Sequence, residues 1–177
     1  RNTAAAICAA AVALDAQNGN SLMLVAPSDH VIPDAEQFRS TVEVAAKTAL
    51  DGQIVTFGIR PDRAETGYGW LELTAQPSSN FAPLAQPLKS FVEKPDAETA
   101  EALLSGGMHL WNAGIFLFST STILGAFAEF APETLSKVHD AFSIAETDLG
   151  FTRLAAKPWS TLEDISIDYA VLEHAPN

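Results

Sequence analysis

Four short segments of the chain set polar or charged residues where a ligand could be held. Pro27-Ser28-Asp29-His30 follows the apolar run SLMLVA at residues 21–26. A carboxylate such as Asp29 at the mouth of a buried strand suits Mg2+, which takes a few carboxylates and fills its shell with phosphate oxygens and water. The same aspartate would also suit a turn or a helix N-cap. Phe91-Val92-Glu93-Lys94-Pro95 puts Glu93, an acceptor for sugar hydroxyls, beside Lys94, a compact cation for a phosphate. Its plainer reading is a solvated charge pair ahead of a proline turn. In Thr66-Gly67-Tyr68-Gly69 a glycine such as Gly69 lets a ligand approach the backbone closely, and a tight turn would ask for the same residues. Asn112, in Trp111-Asn112-Ala113-Gly114, carries an amide that both donates and accepts, or simply forms a turn. His30 does not complete a triad with its neighbours Ser28 and Asp29, because triads assemble from distant positions. The four histidines are scattered and no HExxH occurs, which argues against zinc.

These segments need a scaffold to bring them together. Residues 3–14, alanine-rich with Ile7, Val12 and Leu14, predict a buried helix that the turn Asn18-Gly19-Asn20 ends. SLMLVA, stopped by Pro27, predicts a strand buried on both faces. Residues 34–50 predict a helix, with Ala35, Phe38, Val42, Ala45, Ala46 and Ala49 at helical spacing and Gly52 closing it. Strands are expected at 54–59, 67–73, 88–92 and within 111–119, and a helix at 97–104. Residues 60–66 are a polar loop, and 74–87, with three prolines and two serines, a loop or hairpin excursion. Two helices divided near Pro132 follow, because proline breaks a helix interior but suits its first turn. A last helix is expected over 162–174. This alternation predicts an α/β fold, a Rossmann-like, mostly parallel sheet flanked by helices, with residues 1–177 forming one domain or most of a larger one. In such sheets ligands bind beyond the carboxyl ends of the strands.

Composition narrows the partners. With 177 residues, 47% of them hydrophobic, the chain can build a sizeable core. A formal net charge of −12 argues against a nucleic-acid or anionic-membrane partner, although a divalent ion can still bring in a nucleotide. The apolar stretches at 4–14 and 115–118 are too short to cross a bilayer. The single Cys8 excludes an internal disulfide framework and, with no signal peptide in view, suits the cytoplasm; its alanine-rich surroundings predict a buried packing residue.

Taken in order, the motifs say more than any one alone. Arg1-Asn2-Thr3-Ala4, PSDH at 27–30, TGYGW at 66–70, FVEKP at 91–95, WNAGIFLF at 111–118 and SIDYAVLE at 166–173 resemble the mannose-1-phosphate guanylyltransferase family of sugar-1-phosphate nucleotidyltransferases. The resemblance runs over essentially the whole chain. It implies transfer of a guanylyl group from GTP to mannose 1-phosphate with Mg2+. By the same resemblance Asp29 is similar to the metal-binding aspartate, and Gly69, Glu93 and Asn112 to the sugar-binding positions. Lys94 is similar to the lysine on the sugar phosphate, and Asn2 and Thr3 to the segment bordering the base. For Asp168 the resemblance gives only membership of a motif. A transferase of the same fold for another sugar or nucleotide, or a non-catalytic sugar-nucleotide binder, stays open.

The family's glycine-rich GGxGxRLWPL loop and its later DVGSW-like aspartate have no counterpart in the chain, which is therefore expected to be a piece lacking both ends. Two outcomes are expected. The 177-residue chain alone should make almost no GDP-mannose, and measurable synthesis would contradict this. Its partly uncovered sheet should lead either to self-association as a homo-oligomer or to a fold that survives only with the absent segments supplied, and a stable monomer at high concentration in light scattering would contradict this.

Overall fold

The computed structural model describes residues 2–77 and 83–175. Arg1, and residues 78–82 of the excursion expected at 74–87, lie outside the described residues. In chain order the elements begin with helix α1 (Thr3–Asn18), strand β1 (Leu22–Val25), helix α2 (Ala35–Leu50) and strand β2 (Val55–Ile59). Strands β3 (Gly69–Leu73) and β4 (Leu88–Glu93), helix α3 (Ala97–Gly106) and the long strand β5 (His109–Ser119) follow. Helices α4 (Thr120–Phe130) and α5 (Pro132–Ser143), strands β6 (Glu146–Asp148) and β7 (Phe151–Arg153), helix α6 (Ala156–Ser160) and a π-helical turn at Asp168–Leu172 complete the order. Among the described residues no helix is long and apolar enough to cross a membrane.

The chain divides into two compact units, one of Arg1–Met23 with Phe118–Pro176 and one of Leu24–Leu117. In the first, α1 packs against α4 and α5. The buried Ala4, Ala5, Cys8 and Ala11 leave little side chain between helix axes, so the larger Ile123, Phe127 and Val138 fill the remaining space. Cys8 is fully buried, as expected, and burial pushes its thiol up to about 12, so it stays protonated and acts as a packing residue. Thr120, also fully buried, accepts from the Ser21 amide (3.1 Å) and donates to Asp15 (3.2 Å), which ties the start of α4 to the end of α1.

The second unit is built on the sheet, whose strand order is β1-β5-β3-β4 with β2 also paired to β5. On one face Phe38, Val42, Ala45, Ala46 and Ala49 of α2 meet Val55, Phe57, Ala113, Ile115 and Leu117. Ala100, Leu103 and Leu104 of α3 meet Trp70, Val92 and Trp111. Helix α3 starts where Asp96 accepts from the Thr99 amide (2.8 Å) and ends at left-handed Gly107 (φ +67°).

The structure departs from expectation in direction more than in content. The registered ladders, β2–β5, β3–β4 and β3–β5, are antiparallel, whereas a mostly parallel sheet was expected. A continuous apolar run reports burial and carries no information on strand direction. β1 closes one end of the strand order and alternates instead of being buried throughout: Met23 is buried, while Leu22 and Leu24 are exposed. The helix expected at 162–174 is reduced to the π-helical turn, closed by the Glu173 amide on the Asp168 carbonyl (2.9 Å). The β6–β7 hairpin and α6 were not anticipated.

Candidate functional site

The residues singled out at one end of the sheet fall in a row. In the β3–β4 ladder Gly69 pairs with Glu93, and in the β2–β5 ladder Gly58 pairs with Asn112. The β3–β5 ladder pairs Trp70 with Trp111, so Gly69 and Asn112 stand one residue beyond that pair, on neighbouring strands. Glu93, Gly69, Asn112 and Gly58 therefore cross four strands in one line. Because side chains alternate along a strand, this line faces away from Trp70 and Trp111, which α3 covers.

Glycine at 69 is a steric requirement. A Cβ there would lie 2.6 Å from Glu93 Oε2 and 2.8 Å from the Phe91 ring. The bare backbone of β3 lets the Glu93 carboxylate lie across the strand toward the Asn112 side. Glycine at 58 has the same origin, since a Cβ would come within 2.8 Å of the Leu110 Cβ. Asn112 Oδ1 accepts from Thr56 Oγ1 (2.9 Å) and from the Gly114 amide (3.1 Å), so the amide plane is fixed across β2 and β5.

Lys94 follows directly. Its Nζ pairs with Glu93 Oε1 at 2.9 Å, the lysine side chain 58% exposed and the glutamate 11%. The carboxylate is thus held in the floor while the ammonium reaches solvent. Lys94 has φ +46°, in the left-handed region that a side chain disfavours. Two anchors hold it there: its amide donates to the Tyr68 carbonyl (3.3 Å), and Pro95 leads straight into the Asp96 cap of α3. A charged, exposed residue at the end of the row thus holds a strained backbone conformation.

Asp29 lies in an exposed turn after β1, and among the described residues it makes no hydrogen bond or ion pair. The preceding Pro27 runs past Gly114, its Cγ 3.8 Å from where a Cβ on that glycine would stand. Gly114 takes φ +66° and lies two residues from Asn112, so Pro27 stands beside this part of β5. Among the described residues no group of three or more His, Cys, Asp or Glu is arranged to hold a metal. The open Asp29 carboxylate fits an ion such as Mg2+ that takes a single protein carboxylate and finds its other oxygens on phosphate and water.

Asn2 and Thr3 belong to the other unit. Asn2 Oδ1 caps α1 through the Thr3 amide (2.8 Å), and the Asn2 amide donates to Asp164 (2.9 Å). Thr3 Oγ1 accepts from the Ile167 amide (2.9 Å). The first motif and the SIDYAV motif are thus stitched together at the start of α1. Sequence reasoning missed Arg63 and Glu65, which hold the loop ahead of Gly69. An arginine and a glutamate two residues apart, just before a Gly-Tyr-Gly, were the available signal.

A nucleotidyl transferase family model matches residues 1–160. The chain is 42% identical over 173 residues to the Xanthan biosynthesis protein XanB of Xanthomonas campestris pv. campestris (strain B100), covering 98% of this chain and 36% of that protein. It is 40% identical over 178 residues to a mannose-1-phosphate guanylyltransferase of Sinorhizobium fredii (strain NBRC 101917 / NGR234), covering 100% of this chain and 34% of the relative. The crystal structure of mannose-6-phosphate isomerase from Helicobacter pylori superposes with a TM-score of 0.84 at 31% identity, covering 98% of this chain and 65% of that one. The chain spans about a third of the length of the curated relatives it matches.

The strain at Lys94 gives a direct test. Lys94→Gly should be more stable than Lys94→Ala by about 1 kcal/mol, because only the alanine keeps the left-handed penalty. Urea denaturation of the two variants measures this, and equal midpoints would show that the site stores no strain.

Proposed function

This chain belongs to the nucleotidyl transferase family, and we propose that its protein transfers a guanylyl group from GTP to mannose 1-phosphate, giving GDP-mannose and pyrophosphate. The observation that carries the substrate side is the row of Glu93, Gly69 and Asn112 with Lys94 at its end. A bare stretch of backbone between a carboxylate and an amide suits a sugar ring, and a cation beside it suits the sugar's phosphate. The name of the Sinorhizobium relative supports the choice of sugar and nucleotide.

In this reading an oxygen of the sugar 1-phosphate attacks the α-phosphorus of GTP. A new P–O bond forms, the bond from the α-phosphorus to the bridging oxygen breaks, and pyrophosphate leaves with the electron pair. No covalent enzyme intermediate is needed, and the protein supplies position and charge neutralisation. Glu93 and Asn112 bind sugar hydroxyls and the Gly69 backbone touches the ring. Lys94 Nζ turns from Glu93 to the phosphate and orients the attacking oxygen. Asp29 would hold Mg2+, which when bound offsets charge on the nucleotide phosphates. Asn2 and Thr3 border the nucleotide base.

The proposal includes a cytoplasmic setting, supported by the lone buried Cys8. It also includes self-association of the chain, supported by the exposed Leu22 and Leu24 on β1.

The test is pyrophosphate release by the full-length gene product with Mg2+, comparing GTP plus mannose 1-phosphate with UTP plus glucose 1-phosphate. Preference for the first pair, lost in Asp29→Ala, is the expected result. Preference for the second pair would keep the reaction and overturn the specificity. Silence with both from a folded protein would leave a sugar-nucleotide binder.

A further inference from the structure

The loop before β3 holds a cation whose contacts lead to two strands of the row, β3 and β5. Arg63 donates through Nε (3.1 Å) and Nη2 (3.0 Å) to Glu65 Oε2, and through Nη1 (3.0 Å) to Asp62. The other carboxylate oxygen, Glu65 Oε1, accepts from the Gly67 amide at 3.0 Å. The Glu65 carbonyl accepts from Trp70 Nε1 at 2.9 Å, which pins the same loop to the buried Trp70. The Glu65 carboxyl is held below its ordinary 4.5, first by the Gly67 amide and then by Arg63, as a carboxylate serving two sets of donors should be.

Arg63 also acts on β5. Its guanidinium carbon stands 4.9 Å from the centre of the Trp111 ring, which Tyr68 meets edge-on at 5.3 Å. Trp111 is buried, and its Nε1 has no hydrogen-bond partner among the described residues. The ring is therefore located by packing alone, through Arg63, Tyr68, Trp70 and the α3 residues that cover it. The next residue along β5 is Asn112.

We propose that Arg63 and Glu65 form a positioning clamp for the sugar-phosphate end of the site. Glu65 fixes the backbone that ends in Gly69, and Arg63 fixes Trp111 and with it Asn112. One ion pair thereby ties the loop ahead of β3 to the Trp111 ring of β5, on the two paired strands that must touch the same sugar. This rests on the transferase reading for its ligand, while the clamp itself is a statement about the chain. Lysine is a poor substitute at 63: it keeps the charge but loses both the planar face on Trp111 and the fork onto Glu65.

Two measurements test it. In the full chain without ligand, the amide signals of Gly69 and the Asn112 side chain should move in NMR spectra of Glu65→Gln, Arg63→Ala and Arg63→Lys. A purely local salt bridge would leave Asn112 where it is in all three, and that result overturns the clamp. In steady-state kinetics of the full-length gene product, Arg63→Ala and Arg63→Lys should raise KM for mannose 1-phosphate about 10-fold or more, with KM for GTP nearly unchanged. Losses spread equally over both substrates, or a lower melting temperature with an unchanged sugar KM, would make the pair merely structural and overturn the positioning role. A wild-type protein that turns over no sugar phosphate would sink the transferase reading instead, and the two amide signals would still decide the clamp.

Discussion

The Glu93 carboxylate lies where a side chain on residue 69 would have to be. With glycine at 69, β3 presents bare backbone between β4 and β5, and Glu93 and Asn112 share one floor. The burial of Trp70 and Trp111 on the opposite face keeps the three strands in that register. Lys94 completes the arrangement because its left-handed backbone turns the chain out of β4 at once, so the ammonium and the carboxylate stay paired at the rim. A change in any of these residues changes what the others can reach.

What the sequence made legible follows from which physical signals are local. The helices α2, α4 and α5 were legible because apolar spacing, Asp34 as a cap and Pro132 as a first-turn residue act within a few residues. Strand direction was not legible, because it depends on which distant segments pair. The β6–β7 hairpin was missed for a different reason. Its strands are polar and exposed, and its two-residue turn is Leu149-Gly150, with both residues at positive φ (48° and 83°). Turns of that shape are usually announced by Asn-Gly or Asp-Gly, and leucine announces nothing. The SIDYAV segment was read as a helix because its local spacing suits an α-helix as well as the wider π-turn it adopts.

The site divides in the same way. Glu93, Lys94, Gly69 and Asn112 were each ambiguous alone, and each had a plain turn or surface reading. The ladders bring residues from three strands into one line, which no single motif could reveal and which supports the proposed reading. Asn2 and Thr3 are different: their side chains are spent on the start of α1 and on the segment from Asp164 to Ile167. In a chain of net charge −12, Lys94 sets a half-exposed cation at the end of this row, so in the proposed reading an anionic substrate is drawn to one point and not to a broad basic surface.

The most direct test of this account is a titration of mannose 1-phosphate into the isotope-labelled chain, followed by backbone and side-chain amide shifts. The account predicts that the signals of Gly69, Lys94 and the Asn112 side chain move together and saturate with one affinity. Shifts confined to other parts of the sheet, or movement of Lys94 alone with Gly69 and Asn112 still, would contradict the row of residues as a sugar-phosphate site.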